Sequence, residues 1–283
     1  MEITRRNMYA LTGALGALAL VGVGATPARA QAGQGESTMQ RIQRTGKLRF
    51  AVVANQEPYF RKDLQTGEWR GFCVEMAKDI ADNLGVEIEM LESTWGNSVL
   101  DLQANKIDMA FGLNPTPKRA LVIDFPNPLF YNKPSFVGRK GFRADTWTEL
   151  NKPEVKIAFD LGTSRETIVR RFAPNATHTG YKTSSECVMS VASGRSDCFA
   201  CSVFLGLAAR KANPSMGDFF IPTPAMATVT TAALQYDSDG RFRQFINAWA
   251  DFNRGNGQIR EWILAALFEM GITEADLPEG MDF

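Results

Sequence analysis

The chain has 283 residues, enough for one or two domains with sizeable cores. Its 31 basic residues balance its 31 acidic ones, and no basic stripe runs through it, which argues against a nucleic-acid footprint. Hydrophobic residues make up 45% and charged residues 22%, an ordinary globular composition whose one long apolar run lies at the N-terminus.

That run reads as a targeting segment, residues 1–30. Paired arginines open it in Thr4-Arg5-Arg6-Asn7-Met8-Tyr9, and a Gly- and Ala-rich stretch follows from Ala10 to Val23. Ala28-Arg29-Ala30 and Ala30-Gln31-Ala32 offer small-x-small cleavage sites, after Ala30 or Ala32. The apolar stretch is too short and too poor in large side chains for a spanning helix of ~20 residues. Twin arginine before a weakly hydrophobic core resembles the twin-arginine export signal, with the general secretory route as the alternative. Export places the mature protein in the periplasm. It would carry 28 basic and 30 acidic residues, suiting a soluble, monomeric protein.

Four cysteines remain: Cys73, Cys187, Cys198 and Cys201. An exported protein can form disulfides. A bridge involving Cys187, Cys198 or Cys201 is one reading, and small buried thiols are the other. Cys198 and Cys201 have redox-motif spacing, but their segment reads as a buried strand. A zinc site would need more ligands than one histidine, His178, which sits in a polar stretch that suggests the surface. No metal or other cofactor is expected.

After a flexible start at 31–38, Met39 to Arg44 suggests a short helix ended by Gly46. The apolar run from Lys47 to Ala54 predicts a strand. Phe72, Met76, Ala77, Ile80, Ala81 and Leu84 recur at helical spacing, with Gly85 as the stop. Strand at 86–91, helix at 98–104 and strand at 107–111 complete a parallel α/β unit. A second begins after Pro134, with strands at 155–159 and 197–201 and helices at 165–172 and 184–192. Residues 228–235 return as a strand, followed by amphipathic helices through Trp249 and over 259–267. The expected organisation is lobe 1 over 31–133, lobe 2 over 134–230, and a return to lobe 1 over 231–283. Ligands of such sheets sit at the C-terminal ends of the strands, here the loops at 56–60, 93–97 and 112–119.

In the last loop, Thr116 can cap a helix whose first residue is Pro117. Arg119 then lies in the first turn, where a guanidinium can hold a carboxylate through two parallel hydrogen bonds. A surface arginine is the bland alternative.

The company of Arg119 favours the first reading. Gly46-Lys47-Leu48-Arg49, Pro58-Tyr59, Gly71-Phe72-Cys73-Val74-Glu75-Met76-Ala77, Leu102-Gln103-Ala104-Asn105-Lys106-Ile107-Asp108, Thr116-Pro117-Lys118-Arg119 and Asp124-Phe125 occur in that order. Gly162-Thr163-Ser164 and Ser193-Gly194-Arg195-Ser196-Asp197 follow. Together they resemble the bacterial extracellular solute-binding proteins of the polar amino-acid family (family 3), over nearly all of residues 45–270. The resemblance implies a type II periplasmic-binding fold: two α/β lobes, each a mostly parallel sheet flanked by helices, joined by a two-strand hinge. It implies a small-molecule ligand in the cleft and an ABC importer as membrane partner. By the same resemblance Arg119 would clamp a ligand carboxylate, with Asn114 and the Gly112 backbone adding hydrogen bonds. Tyr59 and Trp95 would wall the pocket, and Ser164 would meet the same carboxylate at a helix N-terminus. The alternative is that Thr163 and Ser164 serve as caps, Thr163 with Glu166 making a capping box.

Two departures from the family pattern stand out. The acidic residue that usually holds the ligand ammonium is replaced by Ser202, and the one used in the first loop for cationic side chains falls near Val53 or Asn55. Asp160 is the expected substitute, with Glu57 a weaker one. Arg165 is positioned to reach the pocket, which makes a ligand with a second carboxylate reasonable. The rival function is an exported dehydratase on the same fold, acting on a cyclic hydroxy-acid such as prephenate, with Asp160 or Glu57 as acid or base.

Overall fold

In the computed structural model, which describes residues 35–281, each early element is set by its ends. Ser37 and Gln40 close a capping box on α1 (Thr38–Thr45), and Gly46 ends it in the left-handed conformation. The expected export signal lies outside the described residues. β1 (Lys47–Val53) follows, and then a small hairpin, β2 (Arg61–Lys62) and β3 (Trp69–Arg70). α2 (Phe72–Leu84) buries Phe72, Met76, Ala77 and Ile80, and stops at left-handed Gly85. β4 (Glu87–Ser93), α3 (Asn97–Gln103), β5 (Met109–Leu113), α4 (Pro117–Ala120), β6 (Ile123–Asp124) and β7 (Phe130–Asn132) complete this part of the chain.

The chain then enters a second sheet. Its elements are β8 (Pro134–Gly138), α5 (Trp147–Leu150), β9 (Lys156–Asp160), α6 (Ser164–Phe172), β10 (Thr177–Tyr181), α7 (Ser184–Ala192), β11 (Cys198–Ser202), α8 (Val203–Ala212) and β12 (Phe219–Phe220). β13 (Thr228–Gln235), α9 (Arg241–Gly255) and α10 (Gln258–Phe268) follow.

The first sheet has the order β4-β1-β5-β13-β6, with β7 also paired to β13. β4, β1 and β5 run parallel; β13 runs antiparallel to its neighbours. The second sheet has the order β10-β9-β11-β8-β12, with β10, β9 and β11 parallel and β8 and β12 antiparallel. Only Lys133 separates β7 of one sheet from β8 of the other, and β13 carries the chain back. The two crossings touch, since the Thr228 hydroxyl donates to the Asn132 carbonyl at 3.0 Å. This is the two-lobed, hinge-joined α/β architecture.

Apolar residues cover both faces of both sheets. In the first lobe Phe50, Phe60, Phe72, Phe111 and Phe130 are almost wholly buried. Each such side chain contributes on the order of 1.5–3 kcal/mol. All four cysteines are free and buried. Cys198 and Cys201 lie three positions apart on β11, so they point to opposite faces and join different clusters, which excludes a bridge between them. His178, expected at the surface, sits half-buried on β10, with Nε2 2.9 Å from the Ala173 carbonyl and its ring against Phe159.

Among the described residues no helix is long and apolar enough to cross a membrane, and no cluster of three potential metal ligands occurs.

Candidate functional site

Loops after β1, β4, β5, β9 and β11 converge between the two sheets around a cavity of about 40 Å³. Tyr59, Trp95, Gly112, Asn114, Arg119, Asp160, Thr163, Ser164 and Ser202, the nine residues singled out from the sequence, all line it. Gln56, Leu113, Arg165, Ala200, Cys201 and Leu205 complete the lining. Glu57 does not; it borders a separate groove with Arg61 and Met189.

The aromatic wall is fixed by edge contacts. The Tyr59 and Trp95 rings meet at 82° with centroids 5.9 Å apart. Gly112 lies beneath them with φ of 78°, and a Cβ there would come within 2.9 Å of the Trp95 ring. Glycine is therefore required both by backbone and by space. The Tyr59 hydroxyl donates to Ser202 Oγ at 3.0 Å and accepts from Asn132 Nδ2 at 2.9 Å. Burial pushes that phenol up to about 12. Ser202 is also the N-cap of α8, accepting from the Leu205 amide. Its hydroxyl is thus committed to the hinge side of the cleft.

Arg119 is placed as the sequence suggests. Thr116 caps α4 and Pro117 is its first residue. The guanidinium donates to the Asn114 carbonyl at 3.0 Å and, across the cleft, to the Gly162 carbonyl at 2.8 Å. Asn114 reaches across as well. Its Oδ1 accepts from Ser164 Oγ at 2.7 Å and Arg165 Nη1 at 2.6 Å, while Nδ2 donates to the Val229 carbonyl. Burial, and then the nearby charge of Arg165, push Arg119 down to about 10.

Thr163 caps α6 by accepting from the Glu166 amide, and its hydroxyl donates to the Asp160 carbonyl. The expected capping box is only half formed. Glu166 reaches past Thr163 and accepts from the Gly162 amide at 2.9 Å, because left-handed Gly162 turns that N–H toward the helix. Asp160, the last residue of β9, is buried and accepts from Ser184 Oγ at 2.5 Å and Cys187 Sγ at 3.3 Å. Burial raises its carboxyl above the ordinary carboxylate value, the hydrogen bonds only partly offsetting it.

Gln56 lies in the expected 56–60 loop but is not among the residues singled out. Its Oε1 accepts from Trp95 Nε1 at 2.9 Å, and its Nε2 donates to Ser184 Oγ at 3.1 Å. Trp95, Gln56, Ser184 and Asp160 thus form one hydrogen-bonded chain from the first lobe to the second. A loop glutamine carries no signal for such a role in a single sequence. At the mouth, Gly96 faces Gly162 closely enough that a Cβ on Gly162 would lie 3.0 Å from the Gly96 Cα, and a Cβ on Gly96 3.2 Å from the Leu161 carbonyl.

Comparison with known proteins agrees with this architecture. The arginine-binding extracellular protein ArtP of Bacillus subtilis is 24% identical over 76% of this chain and 84% of its own. The cyclohexadienyl dehydratase of Pseudomonas aeruginosa is 20% identical over 80% of this chain and 84% of its own. The crystal structure of the ancestral amino acid-binding protein AncCDT-1, a precursor of cyclohexadienyl dehydratase, superposes with a TM-score of 0.72 at 26% identity, covering 83% of this chain and 99% of that one. Residues 48–274 match the family model of the bacterial extracellular solute-binding proteins, family 3, and the chain belongs to that family.

Proposed function

We propose that the chain is an exported receptor that closes on a small carboxylate-bearing solute, an amino acid or close derivative, and delivers it to an ABC importer. The observation that carries this reading is Arg119: a half-buried guanidinium at the cleft whose hydrogen bonds end on neutral carbonyls. A ligand carboxylate supplies the charge that those carbonyls lack, and a drier cleft strengthens the pair. Ser164 and the N-terminus of α6 face the same space from the other lobe. Each lobe holds part of the binding set, so only the closed form makes every contact. A ligand then shifts the open–closed population by its differential affinity. The name of the Bacillus subtilis relative supports an amino-acid ligand. Residues 1–30 are the export signal in this reading, and the mature monomer works in the periplasm.

Arg119→Ala should lose ~2–5 kcal/mol of ligand binding, the usual loss when one partner of a buried charge pair is removed. Calorimetry with the bound amino acid measures it, and unchanged affinity would remove Arg119 from the role.

A second reading, a dehydratase, is favoured by the raised carboxyl of Asp160 in the cavity and by the Pseudomonas aeruginosa relative. In it Asp160 protonates the hydroxyl of prephenate as its C–O bond breaks, so that it leaves as water, while the ring carboxylate departs as CO2 and its bonding pair completes the aromatic ring. Turnover of prephenate that disappears in Asp160→Asn would establish it over the receptor; stoichiometric binding without turnover would exclude it.

A further inference from the structure

We infer that the cleft is built for an amino acid with a second carboxylate, its ammonium facing Asp160 and its two carboxylates shared between Arg119 and Arg165. The inference rests on the receptor reading and narrows its ligand to an acidic amino acid.

Three ionisable side chains line the cavity: Arg119, Arg165 and Asp160. Among the described residues none of the three forms an ion pair, though Arg165 lies near enough to favour the charged form of Asp160. Arg119 donates to the Asn114 and Gly162 carbonyls. Arg165 donates to Asn114 Oδ1 at 2.6 Å and Ser164 Oγ at 3.2 Å. Asp160 accepts from a hydroxyl and a thiol. Unpaired charge is costly in a poorly hydrated space, so the ligand that fits best carries the complementary set, one cation and two anions. A zwitterion with a neutral side chain leaves one guanidinium unmatched. A cationic side chain adds a third positive charge.

A second observation points the same way. Arg165 lies in the first turn of α6, where the helix dipole disfavours a cation. The side chain is not directed to solvent but across the cleft to Asn114 of the other lobe. Both guanidinia converge on Asn114, one on its carbonyl and one on its side chain, and the charge of Arg165 adds to the cost of a charged Arg119. An anion between them relieves both unfavourable placements at once.

The test is calorimetry on the full-length chain at pH 7 with glutamate, aspartate, glutamine, asparagine, glutarate, succinate and arginine. One acidic amino acid should bind about 100-fold more tightly than its amide and than the matching dicarboxylate, as expected for a buried charge left unpaired. Arg165→Gln should reduce the preference for acid over amide to less than about fivefold. An amide, a dicarboxylate or arginine bound as tightly as the acid overturns the inference, and so does an undiminished preference in Arg165→Gln. Should that variant not fold, the wild-type panel alone decides. The remaining standard amino acids separate the two failures: a different best ligand overturns only this inference, whereas no binder at all overturns the receptor reading as well.

Discussion

Asp108 and Asp160 are both buried aspartates grouped with two arginines, yet only Asp108 touches its arginines. Asp108 Oδ1 accepts from Arg49 Nη2 at 2.7 Å and Nε at 3.2 Å. Its Oδ2 accepts from the Arg49 amide at 2.7 Å and from Arg41 Nη2. This cluster ties α1, β1 and the start of β5 together at the end of the first lobe opposite the strand termini that line the cleft. Around the cleft, Arg119, Arg165 and Asp160 have the same composition but end on neutral groups. The first cluster is complete within the protein and acts as structure. The second is open, and its unmatched charges are the means by which a solute can be recognised.

The sharpest way to break this comparison is to remove Asp108. Asp108→Ala strands two arginines and should cost ~3–5 kcal/mol of stability in urea unfolding, with ligand affinity unchanged in the folded protein. A cost well below 1 kcal/mol would mean the two clusters do not differ in kind. The opposite is expected at the cleft. Arg119 is held near 10, below its ordinary value of 12.5, so its charged form is penalised in the folded state at every pH below about 10 and relieved as the pH rises from there. Arg119→Met should therefore stabilise the unliganded protein at pH 7 by ~1–2 kcal/mol, a rise of a few degrees in melting temperature, while destroying binding. Destabilisation on the scale of Asp108→Ala would make Arg119 a structural residue.

Asp160→Asn should give the smallest effect, and its pH dependence identifies it. The folded carboxyl is raised above 3.8, so the folded state holds a proton more tightly than the unfolded chain. Asp160 therefore weighs on stability above that value and not below it. The variant should be more stable than the parent at pH 7 and lose that advantage as the pH falls toward 3.8. A pH-independent difference would show that burial of the charge is not the cause.

Much of this was visible in the sequence because local chemistry decides it. Thr116-Pro117 starts a helix by capping and preset φ, α2 follows from its periodicity, and β13 from its Thr, Val and Ala content. The nine cavity residues fall at strand ends, and strand ends of the two sheets meet. Other features depend on tertiary placement. β10 is built from Thr177-His178-Thr179-Gly180-Tyr181, which has no apolar alternation, and is a strand because β9 offers it a free edge. α8 is hidden because Ser202 ends the buried strand β11 and caps the helix directly, with no loop or turn residue between the two elements. Asp160 was legible as a cleft residue; its partners Ser184 and Cys187 were not, since they come from the start of a helix more than twenty residues on.

The paired glycines at the mouth set how far the lobes can approach. With no side chain on Gly96 or Gly162, main chain meets main chain. A methyl group at Gly96 would act as a doorstop, touching no solute yet holding the jaws slightly apart. Affinity would fall for every solute by the same factor, leaving the order of preference intact. The protein thus keeps what it recognises and how firmly it shuts on separate residues, so that one can change without the other.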